Sequence, residues 1–396
     1  MSLKSVPASF WRGGTSNALV FRAEDLPAIR ADWDPILLAA MGSPDPNGRQ
    51  LDGMGGGISS LSKVCVLAPP SREDADVDFT FGQVPVGPGP VDYGGNCGNM
   101  ISAVGPAAID LGYVAFPPDG TARVRIHNTN TGKIIVSHFP VRDGAAEVEG
   151  ALAIDGVAGT AAPIRLEFVA PGGAKTGLLL PTGSPSDALE TRDGTVRASL
   201  VDAANPCVFV AAEALGKTGA EAPEALAKDV AFMRRMEDIR RAGSVRMGLA
   251  ADLEAAGRMP SIPKVAIVGA PADATSLSGA MIAAGDVSLM VRMLSMEQPH
   301  RAVPITGSIC LALAARVPGT VVAEVCSTAS GPLTFSHPSG TILVDAEAVE
   351  RGGQWEAFSG SVYRTARSCS RALSFTAVDQ GKEKGRSRWP AFSVAT

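Results

Sequence analysis

Four short stretches of this chain occur twice in the same order, and that repetition limits the fold more than any single motif does. Asn17-Ala18-Leu19-Val20-Phe21-Arg22-Ala23-Glu24-Asp25-Leu26 matches Asn205-Pro206-Cys207-Val208-Phe209-Val210-Ala211-Ala212-Glu213-Ala214-Leu215. Lys63-Val64-Cys65-Val66-Leu67-Ala68-Pro69 matches Lys264-Val265-Ala266-Ile267-Val268-Gly269-Ala270-Pro271. Asp76-Val77-Asp78-Phe79 matches Asp286-Val287-Ser288-Leu289 more weakly, and Cys97-Gly98-Asn99 sits where Thr306-Gly307-Ser308 sits later. The first residues of these pairs are offset by 188, 201, 210 and 209 positions, so the order holds while insertions change the spacing. Two homologous halves with a cleft between them are expected. The turn-rich residues 181–187 divide them into 1–184 and 185–396, and a C-terminal strand can return to the first half.

The chain is long enough for two cores of ordinary size. Its 45% hydrophobic and 19% charged residues are those of a soluble globular protein, and its 44 glycines and 29 prolines imply many short strands and turns. A formal net charge of −5 argues against a nucleic-acid partner. Four scattered histidines without paired spacing make a metal site unexpected. The six cysteines lie far apart with no Cys-x-x-Cys, which fits reduced thiols in a cytoplasm. No run reaches membrane-spanning length and the N-terminus has no apolar signal core, so a cytoplasmic protein with no membrane partner is expected. Composition leaves a homodimer open.

The stretch Asp92-Tyr93-Gly94-Gly95-Asn96-Cys97-Gly98-Asn99-Met100 is the strongest chemical signal. Glycine and asparagine permit tight turns, and the apolar run at residues 100–111 reads as a buried helix that Gly112 stops. Cys97 would then stand at a helix N-terminus, where free N–H groups favour thiolate and can hold a carboxylate. A buried structural cysteine after a glycine turn is the plainer alternative. Elsewhere, residues 8–22 read as two strands around the turn Gly13-Gly14-Thr15-Ser16-Asn17, followed by a helix over 25–41. Residues 219–243 read as an insertion with an approximate helical stripe of Leu226, Val230, Met233 and Ile239. Its Arg234, Arg235, Arg240 and Arg241 are expected on a solvated face.

Paired halves, each with an Asn-containing first turn and a Cys-Gly-Asn-like helix start, resemble the diaminopimelate epimerase fold. Arg12-Gly13-Gly14-Thr15-Ser16, Met41-Gly42-Ser43-Pro44-Asp45-Pro46 and Asp52-Gly53-Met54-Gly55-Gly56 sharpen the likeness. Ser59-Ser60-Leu61-Ser62-Lys63-Val64 and Gly95-Asn96-Cys97-Gly98-Asn99 continue it. Together they resemble the 2-methylaconitate cis-trans isomerase and 4-oxalomesaconate tautomerase family, to which methylitaconate Δ-isomerase belongs. The resemblance implies an α+β fold of two pseudo-symmetric domains. Each would wrap a curved, mostly antiparallel sheet around a central helix, with the active site in the cleft between them. It also implies a cofactor-independent allylic proton shift, moving a double bond or exchanging cis for trans. The substrate would be an unsaturated di- or tricarboxylate such as oxalomesaconate, methylaconitate, aconitate or methylitaconate. Its acid–base lysine and cysteine fall on Lys63 and Cys97. The family commonly has Lys where Asn17 stands, so one positive charge near the substrate is missing here.

An allylic shift needs a base for a carbon-bound proton and a cradle of donors for the oxygens that gain charge. Lysine serves as a base only where burial and positive neighbours lower its pKa by about 2–4 units. The segment with Ser59 and Ser60 before Lys63 suits an amide-rich anion pocket. Lys264, at the equivalent place in the second half, is assigned a charge role. Asn17 and Asn205 are expected at the substrate, and Arg301, Asn96, Gly98, Asn99, Thr306, Gly307 and Ser308 are candidates for binding its carboxylates. Epimerases of this fold use a cysteine from each half. Thr306 is far too weak an acid for that role and Cys310 reads as core, so an amino- or hydroxy-acid epimerase is the less favoured alternative. A non-catalytic polycarboxylate-binding accessory protein is the other.

Overall fold

The computed structural model describes residues 3–94, 97–115, 118–295, 297–378 and 393–395. The chain forms two compact units, one from Met1–Leu166 with Arg364–Thr396, the other from Glu167–Tyr363. The division therefore falls before residue 184, and the C-terminal segment joins the first unit.

In the first unit β1 (Leu3–Gly13) and β2 (Ser16–Arg22) form a hairpin, with Gly13 opposite Ser16. The turn is thus only Gly14-Thr15, shorter than expected, and Asn17 lies within β2. Next, β2 runs parallel to β3 (Lys63–Ala68), β3 antiparallel to β4 (Val77–Gln83), and β4 parallel to β5 (Gly120–Asn128). The last makes a hairpin with β6 (Lys133–Arg142). The C-terminal strand Ala366–Val378 pairs along β1. Alternation gives β3 two faces. Val64 and Val66 join Leu37 and Leu38 of α1 (Asp34–Ala40), and Met41 just after it, in one apolar cluster. Lys63 and Cys65 point the other way, towards α2 (Gly98–Asp110), which β1, β2, β3, β5, β6 and the C-terminal strand all touch. Every residue of α2 from Met100 to Ile109 is buried, as a helix enclosed by a sheet requires. Gly112, at φ +77°, closes it: the Gly112 and Tyr113 N–H groups bond the carbonyls of Ile109 and Ala108.

The second unit uses the same order and direction of pairing. The hairpin β7 (Gly194–Ala203) to β8 (Asn205–Ala211) leads to parallel β9 (Lys264–Gly269), then antiparallel β10 (Leu289–Ser295), then parallel β11 (Leu333–His337). A hairpin to β12 (Gly340–Arg351) follows. The insertion forms α3 (Pro223–Lys228) and α4 (Val230–Arg246), with α5 (Leu253–Gly257) after it. Phe232, Met236 and Ile239 of α4 cover Val208, Val210, Val265 and Ile267, the outer face that α1 covers in the first unit. Val230, expected in that stripe, is exposed. Arg240, expected in solvent, is buried: it pairs with Glu237 and donates to the carbonyls of Ala256, Met259 and Ile262. The enclosed helix here is α6 (Ile305–Ala315), which starts one residue before Thr306, the counterpart of Cys97. The helix expected over 25–41 is shorter too: two 3-10 turns precede α1, whose start is set by Pro35 in its first turn.

Candidate active site

In the first unit Lys63 opens β3 directly opposite Gln83, the last residue of β4. Its buried amine donates to Gln83 Oε1 at 2.6 Å and lies 5.1 Å from the centre of the Phe81 ring. Gln83 Nε2 donates in turn to the carbonyls of Ser59 and Ser62, at 3.0 and 2.8 Å. One neutral carboxamide therefore holds both the lysine and the loop before it. That loop folds around Gln50, which is buried, donates to Ser43 and Ser62 and accepts from the Gly57 N–H. A Cβ on Gly55 would stand 2.3 Å from the Gln50 carboxamide, so the glycine motif serves close packing. Asp45 accepts from the N–H groups of Asn47, Arg49 and Gln50, which hold its carboxyl below the usual range. The same loop walls a cavity of about 640 Å³ lined by Ser43, Pro44, Asp45, Asn47, Arg49 and Asp52. Ser59 is exposed and Ser60 half-buried, both in a single 3-10 turn.

Cys97 is the N-cap of α2 and is buried. Its carbonyl accepts from Ile101, which leaves the Gly98, Asn99 and Met100 N–H groups without acceptors inside the helix. Burial pushes the Cys65 thiol up; charge on Cys97 raises it further, and the Lys63 ammonium draws it back down. Cys65 and Lys63 share the α2 face of β3. Asn96 lies outside the described residues.

The Arg12-Gly13-Gly14-Thr15 turn packs on the first turn of α2. A Cβ on Gly13 would meet the Asn99 carbonyl oxygen at 2.6 Å, and Gly14 takes φ +52°. Arg12 donates to the carbonyls of Gly14 and Thr365 and to the Thr365 hydroxyl, each at 3.0 Å, while Asn99 Nδ2 donates to the Thr15 hydroxyl at 3.0 Å. Asn99 therefore anchors this turn with its side chain. Asn17, on the Leu19 face of β2, has a buried Oδ1 without a hydrogen-bond partner among the described residues.

The second unit gathers Lys264, Cys207 and His300 on its α6 face. Lys264 pairs in register with Cys207, and His300 bonds through its N–H to the carbonyl of Met293, whose side chain abuts Gly307 of α6. Burial lowers the pKa of Lys264, with a Cys207 charge opposing. Burial, aided by Lys264, lowers that of His300 to about 4. Burial and its contact with Cys207 push the Cys310 thiol well up, as a core thiol requires. Asn205 bonds its own neighbour, Nδ2 to the Pro206 carbonyl at 3.1 Å. Because α6 begins at Ile305, Thr306 and Gly307 lie inside its first turn with free N–H groups. The Ser308 N–H bonds the Pro304 carbonyl and its buried hydroxyl bonds the Ile305 carbonyl, so neither donor is left for a carboxylate. Arg301 is exposed and pairs with Glu224 at 3.2 Å, a surface contact.

Gln83, Asn130 and His300 were not singled out from the sequence. Gln83 becomes visible only once the β3–β4 register sets it opposite Lys63. No group of three or more His, Cys, Asp or Glu side chains suited to a metal occurs among the described residues, and none of their helices is long and apolar enough to cross a membrane. A lysine amine, a helix-capping thiol and three N–H groups without acceptors inside their helix are the groups that proton transfer and anion binding use.

The model of the family described as PrpF protein matches residues 3–373. The chain is 40% identical over 374 residues to a 2-methyl-aconitate isomerase of Cupriavidus necator, covering 91% of this chain and 94% of that one. It is 38% identical over 348 residues to a 4-oxalomesaconate tautomerase of Pseudomonas putida, covering 87% and 90%. Among solved structures, one of methylitaconate-delta-isomerase superposes with a TM-score of 0.84 at 39% identity, covering 93% of this chain and 94% of that one.

Proposed function

Because the chain belongs to the PrpF protein family, we propose that it is a cofactor-independent isomerase that shifts an allylic proton in an unsaturated di- or tricarboxylate. The observation that supports the reading is that Cys97 caps α2 while Lys63 opens β3, one of the strands that touch that helix. Lys63 removes the proton from the carbon conjugated through C=C to a carboxylate or keto group. The electron pair moves along the conjugated system to those oxygens, which the Gly98, Asn99 and Met100 N–H groups stabilise. Cys97 then protonates the other allylic carbon; where it only donates a hydrogen bond to the dienolate, the Lys63 ammonium returns its proton to that carbon. Gln83 Oε1 and the Phe81 ring hold the Lys63 amine in place at the start of β3. Two-thiol epimerisation fits less well, since Thr306 takes the matching place in the second half and Cys310 is core.

The test is turnover of aconitate, 2-methylaconitate, methylitaconate and oxalomesaconate, followed by ultraviolet absorbance and NMR. At least one acid should isomerise, and the rate should survive exhaustive chelation with EDTA. Failure to convert all four, with no exchange of their allylic protons in D₂O, would leave a binding protein. Activity lost on chelation and restored by added metal would end the cofactor-free reading.

A further inference from the structure

We propose that Asn130 is a positioning residue that fixes the spacing between Lys63 and Cys97; this rests on the assignment of those two as the proton-transfer pair. Asn130 lies in the tight turn between β5 and β6, at the edge of the sheet where β5 stops pairing with β4. The β4–β5 ladder ends at Phe79 opposite Asn128, so the next outward-facing backbone groups of β4, those of Phe81, have no strand to bond. The Asn130 carboxamide takes the place of that strand. Its Oδ1 accepts from the Phe81 N–H at 2.8 Å and its Nδ2 donates to the Phe81 carbonyl at 2.9 Å. The same Nδ2 donates to the Tyr93 carbonyl at 2.7 Å, which commits both of its protons.

Each end of this bridge leads to one of the two residues. The Phe81 ring is the surface over which the Lys63 amine sits, and Phe81 pairs in register with Cys65. Tyr93 stands four residues before Cys97 in the sequence, and its other contacts are also fixed: its hydroxyl donates to Asp34 at 2.9 Å and Arg30 lies 4.4 Å from its ring. A single side chain thus bonds the platform of the lysine and the lead-in to the cysteine, while touching neither. The turn is itself braced, because Asn128 Oδ1 accepts from the Asn130 and Thr131 N–H groups. Freedom at Asn130 would pass to both ends together.

The experiment compares Asn130→Ala with Thr129→Val in the full chain. Thr129 stands in the same turn and its hydroxyl bonds Thr80 and the Phe79 carbonyl, so its loss weakens the turn without reaching Phe81 or Tyr93. Asn130→Ala should lower kcat about 10- to 100-fold, the scale of a misplaced reacting group. Its KM should stay within about twofold, since substrate binding is retained. The pH dependence of Cys97 alkylation by iodoacetamide should shift as well. Thr129→Val should lose comparable thermal stability yet keep wild-type kcat and alkylation profile. Should Asn130→Ala not fold, Asn130→Asp, which keeps the bond to the Phe81 N–H and opposes two carbonyls with an oxygen, serves in its place. Wild-type kcat in the Asn130 variants, or equal loss of kcat in Thr129→Val, overturns the positioning role. Lys63→Ala and Cys97→Ser are measured alongside. If both keep wild-type turnover, the underlying assignment fails and the positioning role with it; if both lose turnover while Asn130→Ala does not, only the positioning role fails.

Discussion

The Lys63 amine meets a carboxamide oxygen and a phenyl face, and both of these partners can be changed without removing the lysine. Gln83→Glu keeps the shape and puts a carboxylate 2.6 Å from the amine, where it favours the ammonium form. If Lys63 is the base, kcat at neutral pH should fall, and the rise of kcat with pH should move up by about one unit or more. A profile that stays in place would mean that Lys63 does not titrate in the rate-limiting step. The sequence made the helix start at Cys97 legible because a glycine turn precedes an apolar run there. It could not show Gln83 or Asn130. Both act through register and turn geometry across β4, and their own neighbours in sequence carry no mark of it.

The start of α2 shows how closely an element's position can depend on one missing methyl group. Gly13→Ala would set a Cβ 2.6 Å from the Asn99 carbonyl and 3.0 Å from the Met100 Cα, and neither neighbour is a flexible side-chain end. Chemical denaturation should show a loss of about 1–3 kcal/mol, the range of an overpacked contact. Turnover should fall with it, because the displaced turn bears on the N–H groups beside Cys97. Unchanged stability and turnover would show that the turn tolerates a side chain. The end of α2 was legible from Gly112, whose left-handed backbone suits glycine. The start of α6 was not: Ile305 and Thr306 are poor markers, and the signal that existed was Pro304, fixed at φ −60° just ahead of the helix. The burial of Arg240 was hidden for another reason, since its carbonyl acceptors come from residues 256–262, beyond the reach of helical periodicity.

The repeated pairing order, hairpin, parallel, antiparallel, parallel, hairpin, was foreshadowed by the repeated motifs, because each motif falls on a strand or helix start that recurs. The insertion between β8 and β9 was visible as a change of spacing, and its covering role was not, since that depends on the apolar outer face of the strands. Global stability should also carry a mark of the second unit. His300 is held neutral in the fold, with its pKa lowered to about 4 by burial and the nearby Lys264, against 6.5 unperturbed. The unfolded chain takes up that proton first as pH falls. This share of stability, about 3 kcal/mol at most, is therefore present above pH 6.5 and lost progressively down to pH 4. Urea midpoints of His300→Gln should fall less steeply over that window than those of the unchanged protein; equal slopes would contradict the assignment. The assignment of Lys63 as the base is tested most directly by following the allylic proton in D₂O by NMR, with whichever of the four acids is converted. Lys63→Ala should slow exchange of that proton at least about 100-fold while Cys97→Ser still exchanges it. Exchange at the wild-type rate in Lys63→Ala, with none in Cys97→Ser, would make Cys97 the base and reverse the two roles.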